Sequence, residues 1–142
     1  MAALKKRYYP KIAEEVYLAT LDNGMSLSII KKKGFIEKAA FLSTNFGALD
    51  NRFYIDGKLQ TYPAGIAHFL EHKLFEDDQG RDVTLDFVKL GADVNAFTTL
   101  DRTTYYFSTI DHFEESLELL LKFTSEFTSS EDTVNHEKRI ID

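Results

Sequence analysis

The sequence contains no cysteine among its 142 residues. That absence excludes a disulfide framework, a thiolate metal site and a cysteine nucleophile, so any metal must be held by histidine and carboxylate side chains. Two prolines and seven glycines are too few for a collagen-like or low-complexity chain. Long hydrophobic runs are missing as well. Nothing approaches the length of a membrane span, and the basic residues near the start (Lys5, Lys6, Arg7, Lys11) precede no apolar stretch of the kind a secretory signal needs. The expectation is a cytoplasmic protein with no membrane partner. Positive charge is also in deficit: the formal net charge of −6 disfavours nucleic acid and anionic lipid and leaves basic peptides as the easier partners. Neither a Gly-rich phosphate loop nor a basic aromatic patch is present, so nucleotide and nucleic acid functions have no support.

What is present suffices for the core of one domain over residues 1–142: 44% of residues are hydrophobic, 13% aromatic and 28% charged. Residues 1–14 read as a flexible arm. A strand over 15–21 is followed by Asp22-Asn23-Gly24, a signal for a two-residue hairpin turn, and by a returning strand over 25–32. Residues 38–46 form a third strand candidate. A turn-rich insertion follows over 47–62, in which Asp56-Gly57 closes a second hairpin. Pro63 fits the first turn of a helix over 64–75. Asp82 can cap a short helix over 83–90 that Gly91 ends. Strands over 93–98 and 104–110 come next, with Tyr105-Tyr106 alternating between core and surface. Asp111 and Glu114 resemble a capping box for a helix over 113–127, with His112 as a surface neighbour, and Ser129-Ser130 opens a last helix to 142. The pattern is an α+β fold, a largely antiparallel sheet with helices packed on one face.

The chemistry concentrates in His68-Phe69-Leu70-Glu71-His72. A helix advances about 100° per residue, so His68, Glu71 and His72 fall within an arc of roughly 100° and can address one point. Two imidazoles one turn apart can bind a zinc ion and leave a coordination position open for water. Glu71 is then the natural general base. Ile66, Phe69, Leu70 and Leu74 take the opposite side, which predicts a buried helix. Burying two histidines and a glutamate without partners costs on the order of several kcal/mol. The competing arrangement is two partly exposed histidines and a surface glutamate on a helix that packs only its apolar side.

The order His-x-x-Glu-His inverts the commoner His-Glu-x-x-His motif and marks the inverzincins, which the sequence resembles. More narrowly, Gly65-Ile66-Ala67-His68-Phe69-Leu70-Glu71-His72-Lys73-Leu74-Phe75, then Gly91-Ala92-Asp93-Val94-Asn95-Ala96-Phe97-Thr98, then Glu137-Lys138 resemble the family of pitrilysin, insulin-degrading enzyme and mitochondrial processing peptidase. The block from His68 to Glu76 is most similar to its bacterial YmfH-like zinc proteases. The resemblance implies a zinc-dependent endopeptidase with His68 and His72 as ligands and Glu71 as the base that activates water. It also makes Asn95, Ala96 and Phe97 the edge strand that pairs with a peptide substrate; without the resemblance they are an ordinary edge strand with Asn at a bend.

The family's third ligand would be a glutamate seven residues beyond Glu137, at position 144, past Asp142. Glu137 itself then either points toward the site as a carboxylate behind the ligands or is an exposed helix glutamate. Members work as a clamshell of homologous halves or paired subunits. The chain is therefore expected to be the N-terminal part of a larger subunit, weakly metallated or empty and inactive by itself, with a non-catalytic structural half as the alternative. S-ribosylhomocysteine lyase shares the inverted motif but relies on a cysteine that is absent here. His136 is a candidate substitute ligand, and Asp77-Asp78 reads as a solvated loop.

Overall fold

The computed structural model describes residues 3–127. The chain divides into two compact units, Met1–Ile36 and Glu37–Asp142.

The first unit is a three-stranded antiparallel sheet in the order β1-β2-β3, with β1 at Lys5–Tyr9, β2 at Glu14–Thr20 and β3 at Ser26–Ile30. The arm expected over 1–14 thus contains a strand, in register from Lys5 opposite Leu18 to Tyr9 opposite Glu14. Its sequence Lys-Lys-Arg-Tyr-Tyr has no apolar alternation because it forms a charged, solvent-facing edge. Lys6 pairs with Glu15 at 3.0 Å across the ladder, and the Arg7 guanidinium lies 5.0 Å from the Tyr9 ring centroid. The β2–β3 turn also differs from expectation. Only Gly24 has a positive φ, 86°. The Gly24 amide donates to the Leu21 carbonyl at 2.9 Å and the Leu21 amide to the Met25 carbonyl at 2.8 Å. This is a three-residue loop closed by a glycine bulge, so Asn23 keeps a negative φ and accepts the Met25 amide on its side chain at 3.0 Å.

The second unit is built on a three-stranded antiparallel sheet in the order β4-β8-β7, from β4 (Lys38–Thr44), β7 (Ala92–Thr98) and β8 (Thr103–Thr109). The hairpin of β5 (Arg52–Ile55) and β6 (Lys58–Thr61) turns at Asp56-Gly57, both with positive φ as the sequence predicts. Three helices, α1 (Ile66–Leu74), α2 (Thr84–Lys89) and α3 (Phe113–Ser125), pack on one face of the main sheet. Register explains which face. Ala40 and Val94 flank Phe107, and Leu42 and Ala96 flank Tyr105, so these side chains share the side covered by Phe87, Leu120 and Phe123. Phe75 stacks on Phe123 at 5.1 Å, and Phe87 lies 6.0 Å from Phe107. Tyr106 points the other way, stacked on Phe41 at 5.2 Å. The α+β architecture with helices on one face agrees with the sequence reading.

One helix start and one helix cap differ from expectation because a left-handed residue interrupts the chain. Gly65, φ 87°, precedes α1, which therefore begins at Ile66 and not at 64. His112, φ 55°, precedes α3, so Asp111 does not cap it; no side chain caps that end, and His112 Nδ1 meets Glu115 Oε1 at 3.2 Å. Asp82 does accept the Thr84 amide at 2.8 Å at the start of α2, and Gly91, φ 69°, ends it.

Two substitutions probe this packing in opposite directions. Ser116 is fully buried on α3, and its hydroxyl finds no partner among the described residues. Ser116→Ala should raise stability by about 1 kcal/mol. A Cβ on Gly47 would lie 2.3 Å from the Arg102 backbone nitrogen and 2.5 Å from that of Asp101. Gly47→Ala should lower stability by about 1–3 kcal/mol, read from urea denaturation.

Candidate metal centre

Helix α1 buries Ala67, Glu71 and Lys73. The expected apolar side is only half-buried, at Ile66, Phe69, Leu70 and Leu74, so polar groups supply much of what faces inward. His68 and His72 are exposed one turn apart, with their Nε2 atoms 3.0 Å from each other and ring centroids 4.6 Å apart. Glu71 is 8% exposed. One ligand atom from each of the three lies within 4.8 Å of the others, the sole such group of three among the described residues. Two imidazole nitrogens and a carboxylate suit zinc, and an ion at the usual Zn–N length of about 2.0–2.1 Å can bridge nitrogens this close with little movement. The residues fit the ion.

A residue that the sequence reading did not single out holds the Glu71 carboxylate. The Thr98 hydroxyl, on the inward face of β7, donates to Glu71 Oε2. Thr98 Oγ1 is 3.4 Å from Thr103 Oγ1, whose hydroxyl donates to the Phe46 carbonyl at 2.8 Å. This chain of hydroxyls ties α1 to both strands of the hairpin. Burial, and secondarily the Glu71 charge, push the nearby Tyr105 phenol well above the ordinary range. No sequence spacing links Glu71 to Thr98, though a threonine on the inward face of the strand that also bears Asn95 is a usable signal.

A cleft of about 450 Å³ opens beside the group, lined by Glu71, His72, Phe75, Glu76, Gly80, Asp82, Thr84, Val94 and Asn95. Asn95 therefore shares a cavity with two members of the motif. Strand β7 is an edge among the described residues, since it pairs only with β8. The Ala96 amide donates to Asn95 Oδ1 at 2.8 Å, so that amide is turned away from the β8 ladder toward the free edge. Ala96 packs against the core, whereas Phe97 is 44% exposed. His136 and Glu137 lie outside the described residues.

The far wall of the cleft is a tight loop over 76–82. Asp77 accepts the Gln79 and Arg81 amides at 3.0 and 2.8 Å, organising the turn. Arg81 binds Asp77 at 2.9 Å and forks onto both Asp86 oxygens at 3.0 and 2.9 Å, clasping the loop to α2. Lys73, 1% exposed, pairs with Glu76. The Asp77-Asp78 segment thus works as a turn, with Asp77 paired to Arg81.

With this geometry in view, the relatives are informative. Residues 60–142 match the model of the insulinase family, Peptidase family M16. The chain belongs to that family. It is 44% identical over 140 residues to the zinc protease YmfH of Bacillus subtilis, covering 97% of this chain and 32% of that protein. It is 29% identical to the probable mitochondrial-processing peptidase subunit beta of Arabidopsis thaliana, over 91% of this chain and 24% of that one. A crystal structure of an M16-like peptidase from Alicyclobacillus acidocaldarius superposes with a TM-score of 0.84 at 37% identity, covering 90% of this chain and 30% of that chain. The chain spans about a third of the length of the first of these relatives.

The clasp has a pH signature. Arg81, then Lys89, donate hydrogen bonds that hold the Asp86 carboxyl at about 2, below its ordinary 3.8. Because the folded value is depressed, the clasp's stabilisation is present above the unfolded value and is lost as pH falls from there toward 2. A carbon-detected NMR titration should find Asp86 ionised at pH 3, and Arg81→Met should return its midpoint toward the ordinary range.

Proposed function

We propose that this chain carries the metal-binding and proton-transfer part of a zinc-dependent endopeptidase, with His68 and His72 as ligands and Glu71 as general base. One observation carries the reading: two Nε2 atoms 3.0 Å apart beside a buried carboxylate, with Glu71 and His72 lining a cleft that Asn95 on the outer strand β7 also lines. When bound, the zinc ion supplies Lewis acidity, acidifying water and polarising a carbonyl. The chain's own residues do the rest. Thr98 occupies Glu71 Oε2, which leaves the other carboxylate oxygen to take a proton from the attacking water and pass it to the leaving amine. An extended peptide lies along Asn95, Ala96 and Phe97 as an added strand, which accepts varied sequences because the bonds are main-chain ones. A homologous second half or partner subunit closes over the substrate, and the setting is the cytoplasm.

The alternative is a non-catalytic half of a two-subunit peptidase. The intact motif favours the catalytic half.

In the full-length protein, Glu71→Gln should reduce cleavage of an internally quenched peptide by at least about a thousandfold while zinc measured by mass spectrometry stays stoichiometric. Unchanged turnover would assign the structural role. Thr98→Val, which keeps the shape and removes the donor, should lower kcat about tenfold with KM nearly unchanged. Chelation should abolish activity, and added zinc should restore it.

A further inference from the structure

We infer that the Asn95 side chain is a reversible placeholder for peptide backbone: its carboxamide oxygen caps the Ala96 amide while no peptide is present and gives way to a substrate carbonyl. This rests on the peptidase reading above and adds to it how the docking strand is kept before a peptide arrives.

Pairing parity fixes the direction of the amide. The Thr99 amide bonds the Arg102 carbonyl at 2.8 Å across the turn. In an antiparallel ladder, residues that exchange such bonds alternate with residues that do not. Counting back along β7, Phe97, Asn95 and Asp93 address β8. The Val94, Ala96 and Thr98 amides point to the opposite side, where no strand pairs among the described residues. An unpaired row of this kind is a template for another chain. Ala96 is the middle donor of the three and the only one of them bonded by a side chain among the described residues, Asn95 Oδ1 at 2.8 Å. Asn95 also lines the cleft with Glu71 and His72.

Asparagine is a poor strand former because its short amide competes with the ladder for backbone groups. At position 95 that competition is turned outward. Asn95 keeps its place opposite Tyr106, while its exposed side chain takes the next donor along. A carboxamide oxygen and a peptide carbonyl are the same kind of acceptor, so exchanging one for the other leaves the Ala96 hydrogen bond nearly unchanged in energy. A ligand that makes only this one bond gains nothing by displacing the cap. An extended peptide that bonds along the whole strand gains its remaining main-chain bonds.

The test uses the full-length, zinc-loaded protein carrying Glu71→Gln and a fluorescent peptide without charged side chains, with affinity read by anisotropy. Asn95→Ala removes the cap and should tighten binding about threefold; Asn95→Asp supplies a stronger acceptor and should weaken it about tenfold. The rank order Ala, Asn, Asp is diagnostic, because a side chain that instead held the peptide directly would make both variants bind more weakly. Without peptide, hydrogen exchange at the Ala96 amide, taken relative to its intrinsic rate, should be faster in Asn95→Ala than in the parent, and with peptide bound the two should match. Equal or weaker binding by Asn95→Ala, or unaltered exchange in the peptide-free protein, overturns the cap and leaves the peptidase reading intact. If no peptide is bound here or cut by the unsubstituted protein, the peptidase reading fails separately. Exchange at Ala96 then judges the cap, and an unaltered rate in Asn95→Ala overturns it.

Discussion

A carboxylate taken out of water must be given donors. Glu71 obtains one from Thr98, a residue 27 positions away on another element. The period of two along β7 puts Ala92, Val94, Ala96 and Thr98 on the inward side, so the same alternation that builds the core delivers a hydroxyl to the helix. With that bond made, Glu71 is held inward, and His68 and His72 on the same helix are exposed. The exposed pair and the buried acid are two outcomes of one contact.

Helix α1 is unusual in what it buries. Of its three buried residues, one is apolar and two are charged types, Glu71 and Lys73. Hydrophobic burial tolerates sliding, because one apolar neighbour substitutes for another. A buried ion pair does not, since removing either partner strands a charge at a cost of about 3–5 kcal/mol. Lys73 holds Glu76, and Arg81 holds the other end of the same loop to α2. The cleft wall is therefore set by directional bonds at both ends, whereas the aromatic core beneath it is set by volume.

The legible parts of the sequence were those governed by local periodicity. The triplet His68, Glu71 and His72 follows from helical spacing, the Asp56-Gly57 turn from the need for two positive φ values, and the β7–β8 hairpin from alternation around a polar turn. What escaped depended on partners distant in sequence or on single backbone angles. Strand β1 is invisible to hydrophobic patterning because Lys5, Lys6 and Arg7 face water; only its pairing with β2 makes it a strand. Gly65 moves the start of α1, and His112 takes the place of Asp111 at the start of α3, through left-handed angles that residue type alone did not announce. Thr98 gained meaning only when folding set it beside Glu71.

The close approach at Gly47 reaches further than its own loop. The Ala48 amide bonds the Thr99 carbonyl at 2.8 Å and the Leu49 amide the Leu100 carbonyl at 3.0 Å, so the turn joining β7 to β8 is gripped from outside the hairpin. A one-residue slip in that turn would exchange the faces of β7 entirely. Thr98 would leave the helix, and Asn95 would rotate inward. The grip at residues 47–49 is thus a parity lock, and the ability of the distant histidine pair to work beside the correct strand face depends on a glycine too small to hold the turn away.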